Sequence, residues 1–308
     1  MTIKTIKMNK QTSLILLISL IILSCNNTDK KAPESQESIA VNKFGKQLNI
    51  SVLWDLSDRI NPAIHKEQPT NAERDISIIK YFADYLKADM DKKGAFMAKG
   101  KLKVFFSPNP SDQNINTLAS KLDVDLSKKD VKEKKQVYDN IASDFEQTSK
   151  QITDLTIKTS KWDGSDIYRF FKNDIADYCI AKDTTYRNIL VILTDGYIYD
   201  KNSMGKIGNK SEYILPQLLT SLGLRNANFK SIFDTKNCGL ISTRSDLNNL
   251  EILVLEVNSE ANHKDDEDII KLYLQKWFAE MKTKRYEIYN TDLPDNTKKR
   301  IANFLNYQ

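Results

Sequence analysis

The chain has 308 residues, of which 40% are apolar, 28% are charged and 9% are aromatic. This length and composition predict a globular protein and exclude a disordered chain, a collagen-like repeat and a small disulfide-rich scaffold. Lys and Arg exceed Asp and Glu by five, but without Lys4, Lys7 and Lys10 of the basic N-terminus the excess falls to +2. This balance gives no electrostatic case for binding nucleic acid.

The first 24 residues have the pattern of an export signal. A basic segment, residues 1–12, precedes an apolar run of twelve, residues 13–24. A helix of that length spans about 18 Å, well short of the hydrocarbon core of about 30 Å, so a signal peptide fits better than a transmembrane helix. The run ends in Ile22-Leu23-Ser24-Cys25, which resembles a bacterial lipobox. The alternative is an ordinary signal peptide followed by a chance cysteine.

The lipobox resemblance implies that the mature chain begins at Cys25, whose lipid anchors the exported protein to a membrane of the bacterial cell envelope. Asn26 follows the cysteine, where an aspartate would retain an enterobacterial lipoprotein at the inner membrane; the outer membrane is therefore favoured. Residues 25–40 are expected to form a flexible tether because they are polar and lack an apolar period. The sequence leaves open whether Cys179 and Cys238 form a disulfide or two buried thiols.

From residue 48 onward, short β-rich segments alternate with longer helical patterns, which indicates βαβ units. We therefore expect residues 41–308 to form one α/β domain with a doubly wound, mostly parallel sheet flanked by helices. An insertion is expected at about residues 197–250, with a helix near 213–222, because this stretch is too long for a simple crossover. The predicted strands are residues 48–54, 101–106, 188–194, 251–257 and 286–289, and the predicted helices are 73–91, 130–159, 166–181, 265–282 and 294–305.

Polar side chains follow two of these strands and open one of the helices. Asp55 and Ser57 come directly after the first strand, Ser165 precedes the helix at 166, and Asp195 follows the strand at 188–194. Ligands of open α/β sheets bind beyond the carboxyl ends of the strands, so these oxygen-bearing side chains are expected at one edge. Carboxylate and hydroxyl oxygens are hard ligands that suit Mg²⁺ or Mn²⁺.

These residues resemble the metal-ion-dependent adhesion site of the von Willebrand factor type A family. Asp55 and Ser57 match the first two positions of its Asp-x-Ser-x-Ser motif, Ser165 stands where that family has a threonine, and Asp195 lies in a Thr-Asp-Gly motif. The resemblance implies a Rossmann-like three-layer sandwich. It also implies a bound Mg²⁺ or Mn²⁺ with an open coordination position, which an acidic residue of another envelope protein fills.

Arg59 departs from the motif, because the family has a serine at this position and a guanidinium group cannot ligate a cation. Two alternatives follow: Arg59 turns away and water completes the metal shell, or it pairs with Asp55 or Asp195 and replaces the metal. In the second case the pocket could receive an acidic group of a partner through Arg59. Tyr197 and Tyr199 directly follow Asp195 and are further candidates for partner contact.

The leading interpretation is thus a binding module and not an enzyme. One alternative is a Mg²⁺-dependent phosphoester hydrolase in which Asp55 or Asp195 acts as ligand or nucleophile and Arg59 holds the anion. A second alternative is a structural lipoprotein with a decayed metal site.

Overall fold

The computed structural model describes residues 45–306 apart from residues 160, 161, 163, 260 and 261. The signal peptide, Cys25 and the tether therefore lie outside the described residues, and their predictions are unchanged. Within the described part, no helix combines the length and the apolar character needed to cross a membrane. Cys179 and Cys238 are both buried free thiols, which decides between the two alternatives for these cysteines.

Among the described residues, nine strands form two sheets. The main sheet has six strands in the order β3-β2-β1-β4-β8-β9; β3 pairs antiparallel with β2, and the other neighbours are parallel. This arrangement confirms the predicted α/β class with a mostly parallel sheet flanked by helices. The strands are β1 (Gln47–Trp54), β2 (Lys101–Phe105), β3 (Asp123–Asp125), β4 (Tyr186–Leu193), β5 (Lys206–Ile207), β6 (Lys210–Ser211), β7 (Gly239–Leu240), β8 (Leu250–Val257) and β9 (Arg285–Asn290).

Helices cover both faces of the main sheet. One face packs against three helices through a core that includes Phe82, Phe145 and Phe304. The other face packs around Phe171 and Trp277. β4 and β8 have core side chains on both faces, which explains their nearly continuous apolar sequences. The helices are α1 (Asn71–Met97), α2 (Gln113–Ala119), α3 (Val131–Thr159), α4 (Ile167–Arg169), α5 (Ile175–Cys179), α6 (Pro216–Ser221), α7 (Phe229–Thr235), α8 (Asp266–Glu280) and α9 (Pro294–Asn306).

The predicted elements are all present, but their bounds and number differ in places. α2 and β3 were not expected, because α2 buries only Ile115 and β3 has three residues, too few to show a period. α1 runs past its predicted end at residue 91 across a kink at Gly94, where φ is 71°. The helix predicted at 166–181 is interrupted by a π-helical turn, Phe170–Asp174, between α4 and α5.

The stretch between β4 and β8 contains a second sheet of three short strands, in the order β5-β6-β7, and two short helices. The helix predicted near 213–222 is α6, which starts only at Pro216 because proline suits the first turn of a helix. Leu219 and Phe233 of these helices join the core on the α8 side of the main sheet. This segment thus leaves the carboxyl end of β4 and packs back onto the same domain.

The order of the main sheet reverses at β1. From β1 the chain moves outward to β2 and β3, and it later returns to β4 on the opposite side of β1 before it continues to β8 and β9. Connections on either side of such a reversal diverge, which leaves a crevice beyond the carboxyl ends of the two central strands. The carboxyl ends of β1 and β4 flank this crevice, which is where the sequence placed the candidate ligands.

Glu251 ties three neighbouring strands together at the opposite, amino-terminal edge of the sheet. Its carboxylate accepts hydrogen bonds from Arg187 Nη2 of β4 at 2.9 Å, from Arg285 Nη2 of β9 at 2.8 Å and from Lys284 Nζ at 2.9 Å. Burial by itself raises the pKa of Glu251, but these hydrogen bonds outweigh it and lower the pKa to about 2.

We expect Glu251→Gln to lower the free energy of unfolding by about 2–3 kcal/mol at neutral pH. The pKa of Glu251 is lower in the folded chain than in the unfolded chain, so this stabilisation is complete above about pH 4.5 and disappears as the pH falls toward 2. Urea unfolding between pH 3 and pH 7 measures the effect. Glu146→Gln, which removes the exposed pair with Lys80, is the control and should cost less than about 1 kcal/mol. A gap between wild type and Glu251→Gln that stays constant with pH would contradict this prediction.

Candidate functional site

A cavity of about 350 Å³ lies at the carboxyl ends of β1 and β4. Ser57, Ser165 and Asp195 line this cavity, so three loops that are distant in sequence contribute to it. Asp55 is only 4% exposed and lies next to Ser57, whose backbone N–H donates to Asp55 Oδ1 at 2.8 Å. The four residues expected to bind a metal are therefore neighbours in the folded chain.

Asp55 connects the two central strands at this edge. Its Oδ1 accepts from the backbone of Ser57, and its Oδ2 accepts from the Thr194 hydroxyl at 2.9 Å. Thr194 Oγ1 also accepts from the backbone N–H of Gly196 at 3.1 Å. The Asp55 carboxylate is thus held in one orientation from both β1 and β4. Thr194 is a site residue that the sequence interpretation treated only as motif context.

The loop after β4 is held by backbone contacts on both sides of Asp195. Asp195 Oδ1 accepts from the backbone N–H of Tyr197 at 3.0 Å, and the Asp195 carbonyl accepts from Asn258 at 3.1 Å. Gly196 has φ of 94°, and a Cβ at this position would lie 2.5 Å from Ile270 Cγ2. The glycine of the Thr-Asp-Gly motif is therefore required by the close approach of α8.

Ser165 enters the site through a short antiparallel bridge with Tyr199. The backbone N–H of Ser165 donates to Tyr199 O at 2.9 Å, and the N–H of Tyr199 donates back to Ser165 O at 3.2 Å. Gly164 permits this approach, because a Cβ there would lie 2.8 Å from Tyr199 O. The buried Ser165 hydroxyl has no hydrogen-bond partner among the described residues. A buried hydroxyl without a partner is costly, so its oxygen is suited to a ligand.

The pKa values of the two carboxylates of the site are both raised. Burial raises the pKa of Asp55 despite the nearby Arg59. Burial and, after it, the charge of Asp55 raise the pKa of Asp195 to about 7. Two carboxylates that are withdrawn from water and close together are stabilised when a cation lies between them.

Arg59 is turned away from both carboxylates of the site, as the first of its two alternatives requires, and it does not form the ion pair of the second alternative. Only 1% of Arg59 is exposed, and its guanidinium forms a bidentate ion pair with Asp75 of α1. The Nη1–Oδ2 distance is 2.6 Å and the Nη2–Oδ1 distance is 3.2 Å. Towards Asp55 it donates only to the backbone carbonyl, at 3.3 Å, and it forms no ion pair with the Asp55 or Asp195 carboxylate. The expectation of a pair with Asp55 or Asp195 is therefore corrected: the partner is Asp75.

Asp75 was not anticipated as part of the site. It is fully buried and also accepts from Trp54 Nε1 at 2.8 Å, so it joins the end of β1, the Arg59 loop and α1. The sequence contained a signal for the burial of Asp75. It lies three and four residues before Ile78 and Ile79, on the buried face of α1. A charged residue on the apolar face of a helix requires a buried partner.

A second buried ion pair lies beside the first. Arg74 Nε donates to Glu256 Oε2 at 2.7 Å, and the charge of Asp75 acts on Glu256. The enclosed carboxylates around these pairs include Asp55, Asp75, Asp195 and Glu256, against the guanidinium groups of Arg59 and Arg74, and the exposed Asp58 adds its charge near Asp195. Carboxylates therefore outnumber guanidinium groups here, and a bound cation would balance part of the negative charge.

The side chains at this edge that could ligate a cation are carboxylates and hydroxyls. Within the described part of the chain, no three His, Cys, Asp or Glu side chains cluster in a way that could hold a metal ion. A cation at this edge would therefore need the hydroxyls of Ser57 and Ser165 in addition to Asp55 and Asp195. This oxygen donor set fits Mg²⁺ or Mn²⁺ and does not fit zinc.

The rim of the cavity contains the two tyrosines. Tyr197 is half-buried, and its hydroxyl donates to Asp266 Oδ2 at 2.8 Å. Arg225 of the segment between β4 and β8 also donates to Asp266, at 3.0 Å from Nε, so this segment is tied to the site. Tyr199 is 45% exposed and lines the cavity together with the exposed Ile64. Of the three residues expected to contact a partner, Tyr199 is the accessible one and Arg59 is enclosed.

No family model matches the sequence, and no curated protein shows significant similarity to it. The chemistry of the site is therefore interpreted from its geometry.

We expect Asp75→Asn to lower the free energy of unfolding by about 3–5 kcal/mol, because the substitution leaves the buried Arg59 charge without its partner. Urea unfolding measures the loss, and Asp58→Asn at an exposed position of the same loop should change stability by less than about 0.5 kcal/mol. The double variant Arg59→Met/Asp75→Asn should recover part of the loss, since it removes the unpaired charge. An Asp75→Asn variant as stable as wild type would show that the pair does not hold this edge together.

Proposed function

We propose that this protein is a lipid-anchored component of the bacterial cell envelope whose domain resembles the von Willebrand factor type A family and binds another envelope protein. In this proposal, Asp55, Ser57, Ser165 and Asp195 hold Mg²⁺ or Mn²⁺ at the carboxyl ends of β1 and β4. The protein is then a binding module and not an enzyme. The N-terminal sequence supports export and attachment through Cys25, and Asn26 favours the outer membrane.

One observation carries the proposal. Oxygen-bearing side chains from three separate loops meet around one cavity at the reversal point of the sheet. The unpartnered Ser165 hydroxyl and the excess of carboxylates over guanidinium groups supply a reason for a cation to bind there. The strand order of the main sheet, with the reversal at β1, is compatible with the three-layer sandwich that the resemblance implies.

Each residue of the site has a role in this proposal. The cation, when bound, supplies an open coordination position for an acidic side chain of the partner. Thr194 and the Ser57 backbone hold the Asp55 carboxylate in place, and the Ser165–Tyr199 bridge presents the Ser165 hydroxyl. Tyr199 and Ile64 provide exposed apolar surface at the rim, where a partner segment can pack around its acidic residue.

The phosphoester hydrolase alternative has less support. It requires a cationic side chain that is available to hold the phosphate, and Arg59 was the residue suggested for that role. Both terminal nitrogens of Arg59 are directed to Asp75, so its charge is already balanced. The alternative of a structural lipoprotein with a decayed site differs from the proposal in one measurable property, stabilisation by a divalent cation.

We expect a divalent cation to stabilise the domain of residues 41–308. At a hundredfold excess over Kd, Mg²⁺ or Mn²⁺ should raise the free energy of unfolding by about 2.7 kcal/mol relative to the protein in EDTA. For a domain of this size, the corresponding rise in Tm is about 5–10 °C. Ser165→Ala should remove most of this shift, and Ser143→Ala on the exposed face of α3 should leave it intact. A Tm that is the same in EDTA and at every millimolar cation concentration would support the decayed-site alternative.

Partner binding tests the function itself. We expect the immobilised domain to retain envelope proteins in the presence of Mg²⁺ and to release them when EDTA removes the cation. The double variant Ser57→Ala/Asp195→Ala should lose the same proteins, because it removes one hydroxyl and one carboxylate donor. The matched control is Ser143→Ala/Asp144→Ala, which makes the same two changes on exposed positions of α3. Equal retention by the Ser57→Ala/Asp195→Ala variant and wild type would refute the proposed binding site.

A further inference from the structure

The amino-terminal edge of the main sheet, opposite the candidate site, is rich in lysine. It consists of residues 45–47 at the start of β1, residues 89–101 between α1 and β2, residues 125–135 at the start of α3, and residues 182–186 before β4. We call these four segments the basic edge. They contain eleven lysines, 46, 92, 93, 99, 101, 128, 129, 132, 134, 135 and 182, and six acidic residues, Asp89, Asp91, Asp125, Asp130, Glu133 and Asp183.

Direct hydrogen bonds hold the segments of the basic edge side by side. Lys93 Nζ donates to Lys46 O at 2.9 Å, and Lys134 Nζ donates to Ala95 O at 2.9 Å. The Tyr186 hydroxyl donates to Lys99 O at 2.9 Å. The lysines are therefore concentrated on one side of the folded domain, although they are dispersed in the sequence.

Several acidic side chains of the basic edge form ion pairs with lysines of the same edge. Asp89 pairs with Lys93, and Asp125 pairs with Lys101 and Lys128. Exposed lysines without such a neighbour in the described ion pairs include Lys132 and Lys135, on the first turns of α3. The excess of five positive charges contrasts with the excess of carboxylates over guanidinium groups around the candidate site. A nearly neutral chain thus carries opposite charge at opposite edges of its sheet.

The basic edge also presents apolar side chains to solvent. Phe96 is 82% exposed, the highest value for a large apolar side chain in the described part of the chain. It follows the kink at Gly94 near the end of α1, and Val131, which is 46% exposed, lies on the adjoining first turn of α3. Exposed apolar residues amid lysines are the pattern of a surface that associates with anionic lipid.

The described part of the chain begins at this edge. Gly45 and Lys46, the first described residues, belong to the basic edge, and Gly45 lies twenty positions after Cys25 in the sequence. Even a fully extended chain of this length spans at most about 70 Å. A lipid on Cys25 would therefore hold Gly45 within about 70 Å of the membrane, and the point where the tether joins the domain lies on the basic edge.

We propose that the basic edge docks on the anionic bilayer to which Cys25 is attached, with Phe96 at the level of the lipid headgroups. The proposal rests on the lipid anchor of the proposed function. Lysines near an anionic membrane each favour association by about a fivefold factor, and Phe96 adds apolar contact. Because the candidate site lies at the opposite edge of the sheet, docking directs that site away from the membrane, toward a partner.

The experiment uses the full chain with its own N-terminus, reconstituted in vesicles of phosphatidylcholine with and without phosphatidylglycerol. An environment-sensitive fluorophore is attached at Phe96→Cys or, for comparison, at Ile207→Cys, which is exposed in the segment between β4 and β8. Cys179 and Cys238 are buried and should not react in the folded protein. Quenching by a lipid-borne quencher reports the distance to the bilayer, and flotation with the vesicles reports the anchor.

We expect several-fold stronger quenching at position 96 than at position 207 in vesicles containing phosphatidylglycerol. The difference should shrink in pure phosphatidylcholine and at an ionic strength of about 1 M, where the Debye length falls to about 3 Å. Lys132→Gln/Lys135→Gln should lower the ratio of docked to undocked protein by about 25-fold. The matched control Lys201→Gln/Lys206→Gln, at exposed positions between β4 and β8, should leave this ratio unchanged.

The two proposals fail in different ways. A chain that floats with the vesicles but shows equal quenching at positions 96 and 207 overturns the docking surface and supports the anchor. A chain that does not float, or that floats equally well as Cys25→Ser, overturns the anchor and the docking proposal that rests on it.

Discussion

The parallel pairing of β1 with β4 is the constraint on which the candidate site depends. The two strands are in register over their full length, from Gln47 opposite Tyr186 to Trp54 opposite Leu193. This register places Asp55 beside Thr194, so the hydroxyl of one loop reaches the carboxylate of the other. A shift by one residue would turn the apolar side chains of β1 to the wrong face of the sheet, so core packing and site geometry are secured by the same register.

Two ion pairs of buried side chains lie at this edge, and the candidate ligands Asp55 and Asp195 belong to neither pair. Arg59 is matched by Asp75, and Arg74 is matched by Glu256, which adopts φ of 71°. Asp55 and Asp195 have no guanidinium partner of their own in the described ion pairs, and the pKa of each is raised. Buried pairs contribute little net stability, but the loss of one partner is costly. The pairing with Asp75 therefore keeps the Arg59 guanidinium out of direct contact with the two carboxylates, which remain available to a ligand.

Much of this arrangement could be predicted from the sequence, for a physical reason. Apolar periods report burial, so β4, β8, α1 and α3 were recognisable, and the carboxyl ends of parallel strands must meet at one edge. The partner of Arg59 could not be predicted in the same way, because Asp75 lies on a different element and only tertiary packing brings them together. α2 and β3 were missed because elements that bury one or two side chains have no measurable period.

Net charge was a poor guide to the surface of this protein. The excess of +2 that remains without Lys4, Lys7 and Lys10 gave no electrostatic case for nucleic acid binding and no reason to expect a charged face. Folding separates the charges: the loops at the carboxyl ends of the strands collect carboxylates, and the loops at the amino ends collect lysines. The main-sheet strands from β1 onward are mostly parallel, so every crossover returns the chain to the same amino-terminal edge. Lysines placed before β1, β2 and β4, together with those around the start of α3, therefore lie on one side, and the charge of the basic edge becomes apparent in the folded chain.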